Sequence, residues 1–406
     1  MSTSRFAILG GGLVAGYAAK QFVEMELKPG ELAIVSADNF VPYERPPLSK
    51  TFLAGKDNED AIQISPSDFY KSHGIELKLQ SEVTAVDIKR KRLVFKSGGE
   101  FSFGKLIIAT GAHVRKLDVP GANLRNVFYL RSLDDSRAIR SEVKKVKRAV
   151  IVGGGFIGME VAAVLSQAGL DVTMVLNDER ISKRLFTPEM SNFFEGYYKE
   201  RGVRLLKSAP VTELRGDGSV KSAVLADGQT IPCELVVAGI GVQPETEMLA
   251  SSGFNIENGV VVNEYLDTGH ADIWAAGDVA NYSDILFQKR RRVEHWDNAV
   301  SQGQYCARAL MGERTPFKHV PYFFSDVFDL SYEYWGDSSG ADQIVHRGDF
   351  SKKSFSTWWL RKQTVVAAFI MNRPDEEREV VPKWIESRHT ASAKQLADTS
   401  RSLRTL

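Results

Sequence analysis

The sequence predicts an α/β protein made of two similar three-layer (β/β/α) domains and a C-terminal α+β domain. A short apolar strand, a glycine-rich turn and a helix occur in succession at Phe6–Ala19, and the same pattern returns at Ala149–Gln167. After each copy come short stretches of alternating polar and apolar residues, which are typical of antiparallel strands. From Val320 onwards the strands become rich in aromatic residues, and this change indicates a separate antiparallel sheet.

The first glycine-rich turn has the sequence FAILGGGLVAGYAA. Gly10 permits the tight turn after the strand, Gly12 lets the backbone approach a phosphate, and Ala15 keeps helix and strand close together. Asp38 follows the next strand, where a carboxylate can bind ribose hydroxyls. The stretch therefore predicts a dinucleotide site, with the pyrophosphate at the N-terminus of the helix.

The second turn repeats this plan with a full GxGxxG motif from Gly153 to Gly158. Asp178 stands about twenty residues past the last glycine, at the end of the following strand, as in dinucleotide-binding folds. Two copies of one plan in a single chain predict two Rossmann-like dinucleotide-binding domains.

The loop VPYERPPLSK (Val41–Lys50) follows the first acid. Its two consecutive prolines disfavour a regular helix and stiffen the chain, so we expect this loop to position side chains near the nucleotide. Another acid, Asp278, follows the short strand Ile273–Ala275. We expect it to stand at a helix N-terminus, where it either caps the helix or binds a ligand hydroxyl.

Local signals also place several helices. Ser65-Pro66 is expected to start a short helix, and a capping box at Ser132 is expected to open a basic helix that runs to about Lys147. A later helix is expected over Ala299–Met311. The polar tail His389–Leu406 is expected to be frayed or loosely docked.

Composition excludes several classes of protein. The formal net charge of +1 does not favour a nucleic-acid partner, and no apolar run approaches the roughly 20 residues of a membrane span. The chain enters its first strand at once, so no targeting peptide is expected. The two cysteines lie far apart and the seven histidines show no metal-binding spacing. We therefore expect a cytoplasmic protein without disulfide bonds, a metal site, a nucleic-acid partner or a membrane anchor.

With these motifs placed, the chain resembles the FAD-dependent pyridine nucleotide reductases over its whole length, in particular the monodehydroascorbate reductase and bacterial ferredoxin reductase types. The matching segments are ILGGGLVAGYAA, PYERPPLSK, IIATGA, VIVGGGFIGMEVAA, WAAGDVA and RRVEHWDNA. The resemblance implies a glutathione reductase-like fold. It implies an FAD-binding domain in two segments, 1–114 and 242–319, an NAD(P)H-binding domain at 115–241, and a C-terminal α+β domain at 320–406.

The resemblance also implies the roles of the catalytic residues. Lys50 would lie beside the reactive edge of the flavin and pair with Glu160, and Glu294 would bind the nicotinamide carboxamide. The chemistry agrees, because hydride arrival builds negative charge on the flavin and a nearby ammonium offsets it. A buried lysine in turn needs a carboxylate partner to remain charged.

The resemblance assigns each turn to one cofactor. The implied FAD site comprises Gly10, Gly12, Leu13, Val14, Ala15, Asp38, Arg45, Lys50, Val83, Ala109, Thr110, Gly111, Gly277, Asp278, Glu294, His295, Trp296 and Phe324. The implied NAD site comprises Gly153, Gly155, Phe156, Ile157, Gly158, Glu160, Asp178, Gly239, Ile240 and Gly241. The Asp178 carboxylate favours NADH because it repels a 2′-phosphate, whereas the nearby Arg180 and Arg184 leave NADPH open as a second donor.

The sequence leaves the electron acceptor open. Related disulfide reductases carry a CxxxxC motif that this chain lacks, so we expect reduced flavin to pass single electrons directly to a small-molecule radical or a ferredoxin-like protein. The run Lys289–Arg292 suits an anionic small molecule or an acidic ferredoxin, or else is a solvated basic turn. Two positions associated with substrate in the plant monodehydroascorbate enzymes, an Arg and a Tyr, are occupied here by Val300 and Phe324.

A third interpretation is a non-catalytic NADH-binding scaffold that resembles apoptosis-inducing factor. The chain shows neither a targeting segment nor a long insertion in its C-terminal part, and both absences argue against this interpretation. Turnover with NADH distinguishes an enzyme from such a scaffold.

Overall fold

The computed structural model describes residues 3–406, which form two compact units. The first unit consists of the segments Met1–Glu44, Glu59–His113 and Gln243–Phe323. The second consists of Arg45–Asn58, Val114–Val242 and Phe324–Leu406. Each unit is therefore built from segments that are distant in sequence.

The first unit is organised around a seven-stranded sheet whose central strand is Thr3–Leu9. This strand pairs in parallel with Leu32–Val35 on one side and with Glu100–Ile108 on the other. The stretches Phe6–Leu9, Leu32–Val35 and Leu106–Ile108 of these strands are apolar and buried, as expected of parallel strands that are covered on both faces. The remaining strands of the sheet are Glu76–Lys78, Val83–Asp87, Arg92–Phe95 and Ile273–Ala275.

Helix Leu13–Glu24 packs against helix Trp296–Met311 in the first unit. Gly303 permits this approach, because a Cβ atom there would lie 2.8 Å from the carbonyl oxygen of Val14. The second helix begins at Trp296 and not at Ala299 as expected. Asp297 lies in its first turn, where a carboxylate interacts favourably with the helix dipole, and this explains the earlier start.

The other elements of the first unit are short. The helix expected at Ser65-Pro66 spans Ser67–Ser72, with Pro66 at the N-cap position. The 3₁₀ turns are Asp60–Ile62, Glu247–Leu249 and Gly277–Val279. A small sheet contains Val260–Val262, Ala280–Asp284 and Lys289–Arg291, and the strands Ala112–Val114 and Val242–Pro244 lie where the chain passes between units.

The second unit contains a five-stranded parallel sheet in the order Arg204–Leu206, Asp171–Val175, Arg148–Val152, Leu235–Ala238 and Val127–Tyr129. Its helices are Leu133–Val143, Phe156–Gln167 and Pro188–Glu200, and Pro46–Ser49 forms a 3₁₀ turn. A three-stranded antiparallel sheet contains Val211–Asp217, Ser219–Leu225 and Thr230–Pro232. The capping box at Ser132 is present, but the helix ends at Val143 and not near Lys147, where the lysine-rich segment turns towards the next strand.

The C-terminal part forms a five-stranded antiparallel sheet with three helical segments. The strand order is Tyr322–Val327, Leu330–Gly336, Thr364–Met371, Ser354–Arg361 and Gln343–Asp349. The helical segments are Asp375–Ser387, Ala393–Ala397 and Leu403–Thr405. The α/β fold class with an additional α+β domain is thus confirmed. Within residues 3–406, no helix combines the length and the hydropathy that a membrane span requires.

The C-terminal tail, which was expected to be frayed or loosely docked, is docked through a buried arginine. The guanidinium of Arg347, which is 4% exposed, donates to the carbonyl oxygens of Leu396 at 3.0 Å, Asp398 at 2.6 Å and Arg401 at 2.8 Å. It also donates to the buried carboxylate of Glu377 at 2.9 Å. Because a buried arginine binds the backbone of the tail, the polar composition of this segment does not leave it mobile.

We predict that Arg347→Met destabilises the protein and releases the tail. Removing one partner of a buried ion pair leaves the Glu377 carboxylate short of donors, so the free energy of unfolding should fall by about 3 kcal/mol. Chemical denaturation measures this change, and limited proteolysis should show faster cleavage near Leu396. Arg404→Met, which removes an exposed ion pair with Glu379, is the matched control and should behave like the wild type. Equal stability of the two variants would contradict the proposed anchoring role.

Candidate functional site

The first glycine-rich turn packs so closely against the residue after the neighbouring strand that Gly10 has no room for a side chain. Gly10 has a φ of +125°, and a Cβ atom there would lie 2.1 Å from the carbonyl oxygen of Ala109. Gly12 is the N-cap of the helix that begins at Leu13, and this helix has neither a side-chain cap nor an acid in its first turn. Its first amides are therefore available to an anion, as the pyrophosphate of a dinucleotide requires.

Asp38 lies three residues beyond the strand Leu32–Val35, at the carboxyl edge of the sheet. One of its carboxylate oxygens accepts from the backbone amides of Asn39 at 2.7 Å and Phe40 at 3.3 Å. The other accepts from the hydroxyl of Tyr43 at 3.1 Å. The carboxylate is thus held at the position where a ribose is expected, and Tyr43 is a partner that sequence reasoning did not identify.

Asp278 was expected at the N-terminus of a helix, but the structure shows only a single short turn there. Asp278 lies in the three-residue 3₁₀ turn Gly277–Val279, after which the chain continues as a strand. The turn is held because the amide of Gly277 donates to Oε1 of Gln302 at 2.7 Å. A helix dipole therefore does not act at Asp278. The uncapped helix N-terminus in this part of the unit is that of Trp296, whose N-cap is His295.

Three buried polar atoms lie along this helix without a hydrogen-bond partner in the described part of the chain. They are Nδ1 of His295, Oδ1 of Asn298 and Nε2 of Gln302. Burial, reinforced by the charge of Arg291, lowers the pKa of His295 to about 4, so its ring is neutral at physiological pH. Buried polar atoms normally find a partner, so these three suit a bound polar group or ordered water.

Glu44, which sequence reasoning did not assign to the site, connects the two packed helices. Its carboxylate accepts from Nε1 of Trp296 at 2.5 Å and from the hydroxyl of Tyr17 at 2.6 Å. Burial and the neighbouring carboxylate raise the pKa of Tyr17. Glu294 instead pairs with Arg292 at 2.6 Å and is 40% exposed. The available sequence signal for Glu44 was its place inside the proline-rich loop.

The other expected flavin residues are distributed over both units. Val83 begins the strand Val83–Asp87 and is buried. The hydroxyl of Thr110 donates to the carbonyl oxygen of Glu245 at 2.6 Å, and the next residue, Gly111, has a φ of +72°. Arg45, in the second unit, donates to the carbonyl oxygen of Arg131 at 2.5 Å.

The second glycine-rich turn repeats the geometry of the first. Gly153 has a φ of +113°, and a Cβ atom there would lie 2.3 Å from the carbonyl oxygen of Gly239. At Gly158 a Cβ atom would lie 2.2 Å from the carbonyl oxygen of Gly153, which explains the third glycine of the motif. At Gly155, in contrast, a Cβ atom would meet nothing within 4 Å. The space in front of helix Phe156–Gln167, which also lacks a side-chain cap, suits a phosphate.

The small-residue segment after the strand Leu235–Ala238 completes this turn. The carbonyl of Gly239 contacts Gly153, the first glycine of the motif. Gly241 has a φ of +101°. Ile157, in the first turn of the helix, is 41% exposed. Ile240 packs partly buried against the core of the same domain. The expected residues of the second turn therefore come together in one place.

Asp178 lies beyond the strand Asp171–Val175, and its side chain is 60% exposed. The cation beside it is Lys183, whose Nζ is 4.0 Å from Asp178 and 2.7 Å from Glu179. Arg180, one of the two nearby arginines that left NADPH open as a second donor, is bonded within the protein. Its guanidinium donates to the carbonyl oxygen of Phe186 at 2.6 Å.

The ion pair expected between Lys50 and Glu160 is present in the second unit. Nζ of Lys50 lies 3.1 Å from Oε1 of Glu160, and the two side chains are 13% and 5% exposed. The ammonium also lies 5.0 Å from the ring centroid of Phe324. Two hydroxyls that sequence reasoning missed, those of Ser49 and Ser325, donate to the same carboxylate.

Comparisons with known proteins identify the family. A model of the pyridine nucleotide-disulphide oxidoreductases matches residues 4–303, and a model of a reductase C-terminal domain matches residues 322–406. The chain belongs to the pyridine nucleotide-disulphide oxidoreductase family. It is 35% identical to monodehydroascorbate reductase of Pisum sativum, over 93% of each chain. It is 37% identical to the peroxisomal monodehydroascorbate reductase 4 of Arabidopsis thaliana, over 93% of this chain and 81% of the relative.

Two solved structures share the whole fold. The ferredoxin reductase from Rhodopseudomonas palustris superposes with a TM-score of 0.95 at 33% identity, covering 100% of this chain and 99% of the other. Putidaredoxin reductase, in its covalent complex with putidaredoxin, gives a TM-score of 0.94 at 30% identity, covering 100% and 98%. The expected family is confirmed, and this member is an oxidoreductase that uses a flavin and a nicotinamide nucleotide.

We predict that Gly155→Val leaves the fold intact and weakens nucleotide binding. A side chain at Gly155 would meet no protein atom, but it would occupy the space expected for the phosphates. The dissociation constant for NADH should rise at least about tenfold, equivalent to about 1.4 kcal/mol, while the thermal midpoint stays near that of the wild type. Calorimetric titration measures the first quantity and thermal denaturation the second.

Gly158→Val provides the comparison variant for this prediction, because its side chain would overlap the backbone of Gly153. It should fold poorly or not at all. If Gly155→Val bound NADH as tightly as the wild type, the assignment of this turn to the nucleotide would be wrong.

Proposed function

We propose that this protein oxidises NADH through bound FAD and passes the electrons one at a time to an acceptor, as a reductase of the monodehydroascorbate type. The observation that carries this proposal is the Lys50–Glu160 ion pair at 3.1 Å, in a chain with two dinucleotide turns. Bound flavin would supply the chemistry, because it accepts hydride from a reduced nicotinamide and releases single electrons.

The proposed division of the chain follows the two turns. Residues 1–114 and 242–319 would form the FAD domain, 115–241 the NADH domain, and 320–406 the C-terminal domain. In the FAD domain, the amides after Gly12 would hold the pyrophosphate and Asp38 the ribose. Asp278 would bind the ribityl chain through its carboxylate. In the NADH domain, Gly155 would face the phosphates and Asp178 the adenosine ribose.

The proposed role of Lys50 is electrostatic. An ammonium beside the flavin stabilises the negative charge that accompanies reduction, and it acts most strongly where water is excluded. Lys50 is held for this task by a carboxylate that is itself almost fully buried. Glu294, at 40% exposure, is accessible to a nicotinamide carboxamide, although its carboxylate already interacts with Arg292.

Several observations bear on the acceptor. Both cysteines, Cys233 and Cys306, are free and buried, and burial raises the pKa of the Cys233 thiol to about 12, so neither suits disulfide chemistry.

The names of the curated relatives support the monodehydroascorbate radical as acceptor. The titles of the structural relatives support a ferredoxin-like protein as the second candidate. Val300 is buried, and Phe324 lies beside Lys50.

The basic run Lys289–Arg292 gives little support to an acidic partner. Arg290 donates to the carbonyl oxygens of Val262 at 2.8 Å and Asn281 at 2.5 Å. Arg291 pairs with the buried Asp284 at 3.4 Å, and Arg292 pairs with Glu294. Three of the four cations therefore act within the first unit.

Steady-state NADH oxidation with a panel of acceptors tests the function. The panel contains the ascorbate radical generated in situ, a [2Fe–2S] ferredoxin, ferricyanide and oxygen. We expect rapid ferricyanide reduction and a kcat/KM for the ascorbate radical at least about a hundredfold above that for oxygen, within the ordinary range for enzymes. Activity with ferredoxin alone would replace the monodehydroascorbate assignment by the ferredoxin one. The absence of turnover with every acceptor would contradict both.

We predict that Asp178→Ala relaxes the preference for NADH. Without the carboxylate, Lys183 can approach a 2′-phosphate, because it already lies 4.0 Å from Asp178. The ratio of kcat/KM for NADH to that for NADPH should fall about tenfold or more, equivalent to about 1.4 kcal/mol. Glu179→Ala removes the adjacent exposed acid and should change the ratio far less. If the ratio in Asp178→Ala equalled that of the wild type, Asp178 would not face the ribose.

A further inference from the structure

We propose that Ser325, together with Ser49, is a positioning residue that fixes the carboxylate of Glu160 against Lys50. Through Ser325, the C-terminal sheet would take part in holding the lysine that acts on the flavin. This inference rests on the proposed function, because it takes the Lys50 ammonium to act on the bound flavin. It adds two hydroxyls, from two other segments of the chain, to the ion pair.

The contacts of Glu160 carry the proposal. The residue is 4% exposed, and its Oε1 accepts from the hydroxyl of Ser325 at 2.6 Å and lies 3.1 Å from Nζ of Lys50. Its Oε2 accepts from the hydroxyl of Ser49. All three neighbours act as donors, and only the ionised carboxylate is purely an acceptor. The arrangement therefore places a hydroxyl donor on each carboxylate oxygen and the Lys50 ammonium beside Oε1.

The two serines come from two separate elements of the fold. Ser49 ends the 3₁₀ turn Pro46–Ser49, and the carbonyl of the preceding Leu48 accepts from the buried hydroxyl of Ser136 at 2.7 Å. Ser325 lies in the middle of the strand Tyr322–Val327 and is fully buried.

Glu160 itself is held from the helix side, where the hydroxyl of Tyr198 donates to the carbonyl oxygen of Met159 at 2.8 Å. Burial raises the pKa of Tyr198 well above its usual value. The phenol therefore remains a neutral donor. Each oxygen of the carboxylate thus has one hydroxyl donor that belongs to a fixed part of the fold.

This fixation has a consequence for the lysine. A lysine side chain has many rotamers, and a carboxylate that could rotate would leave the ammonium poorly placed. With both carboxylate oxygens bound by serines, the position left for Nζ is defined. The residue before Ser325 adds a second contact, because the ring of Phe324 lies 5.0 Å from the same ammonium. One strand of the C-terminal sheet therefore contacts both members of the ion pair: Ser325 contacts the Glu160 carboxylate and Phe324 contacts the Lys50 ammonium.

The experiment compares Ser325→Ala and Ser49→Ala with the conservative variant Ser325→Thr, in the flavin-loaded protein. Three quantities are measured: the rate constant for flavin reduction by NADH in a stopped-flow instrument, the dissociation constant for NADH, and the reduction potential of the bound flavin. Lys50→Met serves as the reference for complete loss of the charge. Ser331→Ala is the matched control, because this exposed hydroxyl of the same sheet contacts Asp326 and not Glu160.

We expect each alanine variant to reduce its flavin about tenfold more slowly than the wild type, with the dissociation constant for NADH unchanged within about twofold. The potential should shift to more negative values, in the direction of Lys50→Met but by less, because the ammonium is retained yet less firmly placed. Ser325→Thr should restore both quantities. A serine that only stabilises the fold would lower the thermal midpoint without moving the potential.

The outcomes separate the two proposals. Wild-type potential and reduction rate in both Ser325→Ala and Ser49→Ala, with Lys50→Met impaired, would overturn the positioning role and leave the proposed function standing. A shift in Ser331→Ala equal to that in Ser325→Ala would overturn it too. A wild-type protein whose flavin is not reduced by NADH would contradict the proposed function, and this inference with it.

Discussion

In both glycine-rich turns, the first glycine has no room for a side chain. A carbonyl oxygen just beyond a buried parallel strand occupies the space that a side chain would need. The separations from a Cβ atom would be 2.1 Å at Gly10 and 2.3 Å at Gly153. This contact brings the end of one strand against the start of a helix. The helix N-terminus is thereby placed at the carboxyl edge of the sheet without a side-chain cap, and the acids Asp38 and Asp178 lie beyond the neighbouring strands.

Apart from the Lys50–Glu160 pair, which the family resemblance implied, the features that sequence reasoning predicted correctly depend on local patterns. The two glycine turns, the buried strands beside them and the capping box at Ser132 follow from spacing over a few residues. The features that it missed depend on hydrogen bonds between distant segments. Asp278 lies in a 3₁₀ turn because Gln302 accepts from the preceding amide, and the tail is docked because Arg347 binds its carbonyls. Neither partner is close in sequence, so no local pattern could have indicated either result.

Glu377 and Glu160 are both buried carboxylates that pair with a cation, but the cations differ. Glu377 is 2% exposed and accepts from Arg347 and Arg373, both at 2.9 Å, in a cluster that joins the tail to the C-terminal sheet. Glu160 is similarly buried, but its cation is a lysine, whose point charge sits on a flexible chain. The planar guanidinium of an arginine binds a carboxylate in a defined geometry. A lysine needs its partner to be fixed instead, and this requirement accounts for the two serines on Glu160.

The run Lys289–Arg292 is less basic in the folded protein than its four consecutive cations suggest. Arg291 and Arg292 pair with nearby carboxylates, and Arg290 donates to backbone carbonyls, so part of the positive charge of this run is neutralised within the first unit. Val300 and Phe324 occupy the two positions where the plant monodehydroascorbate enzymes carry an Arg and a Tyr. Because Phe324 adjoins Ser325 on one strand, a change that alters acceptor choice at this position would also act on the Lys50–Glu160 pair.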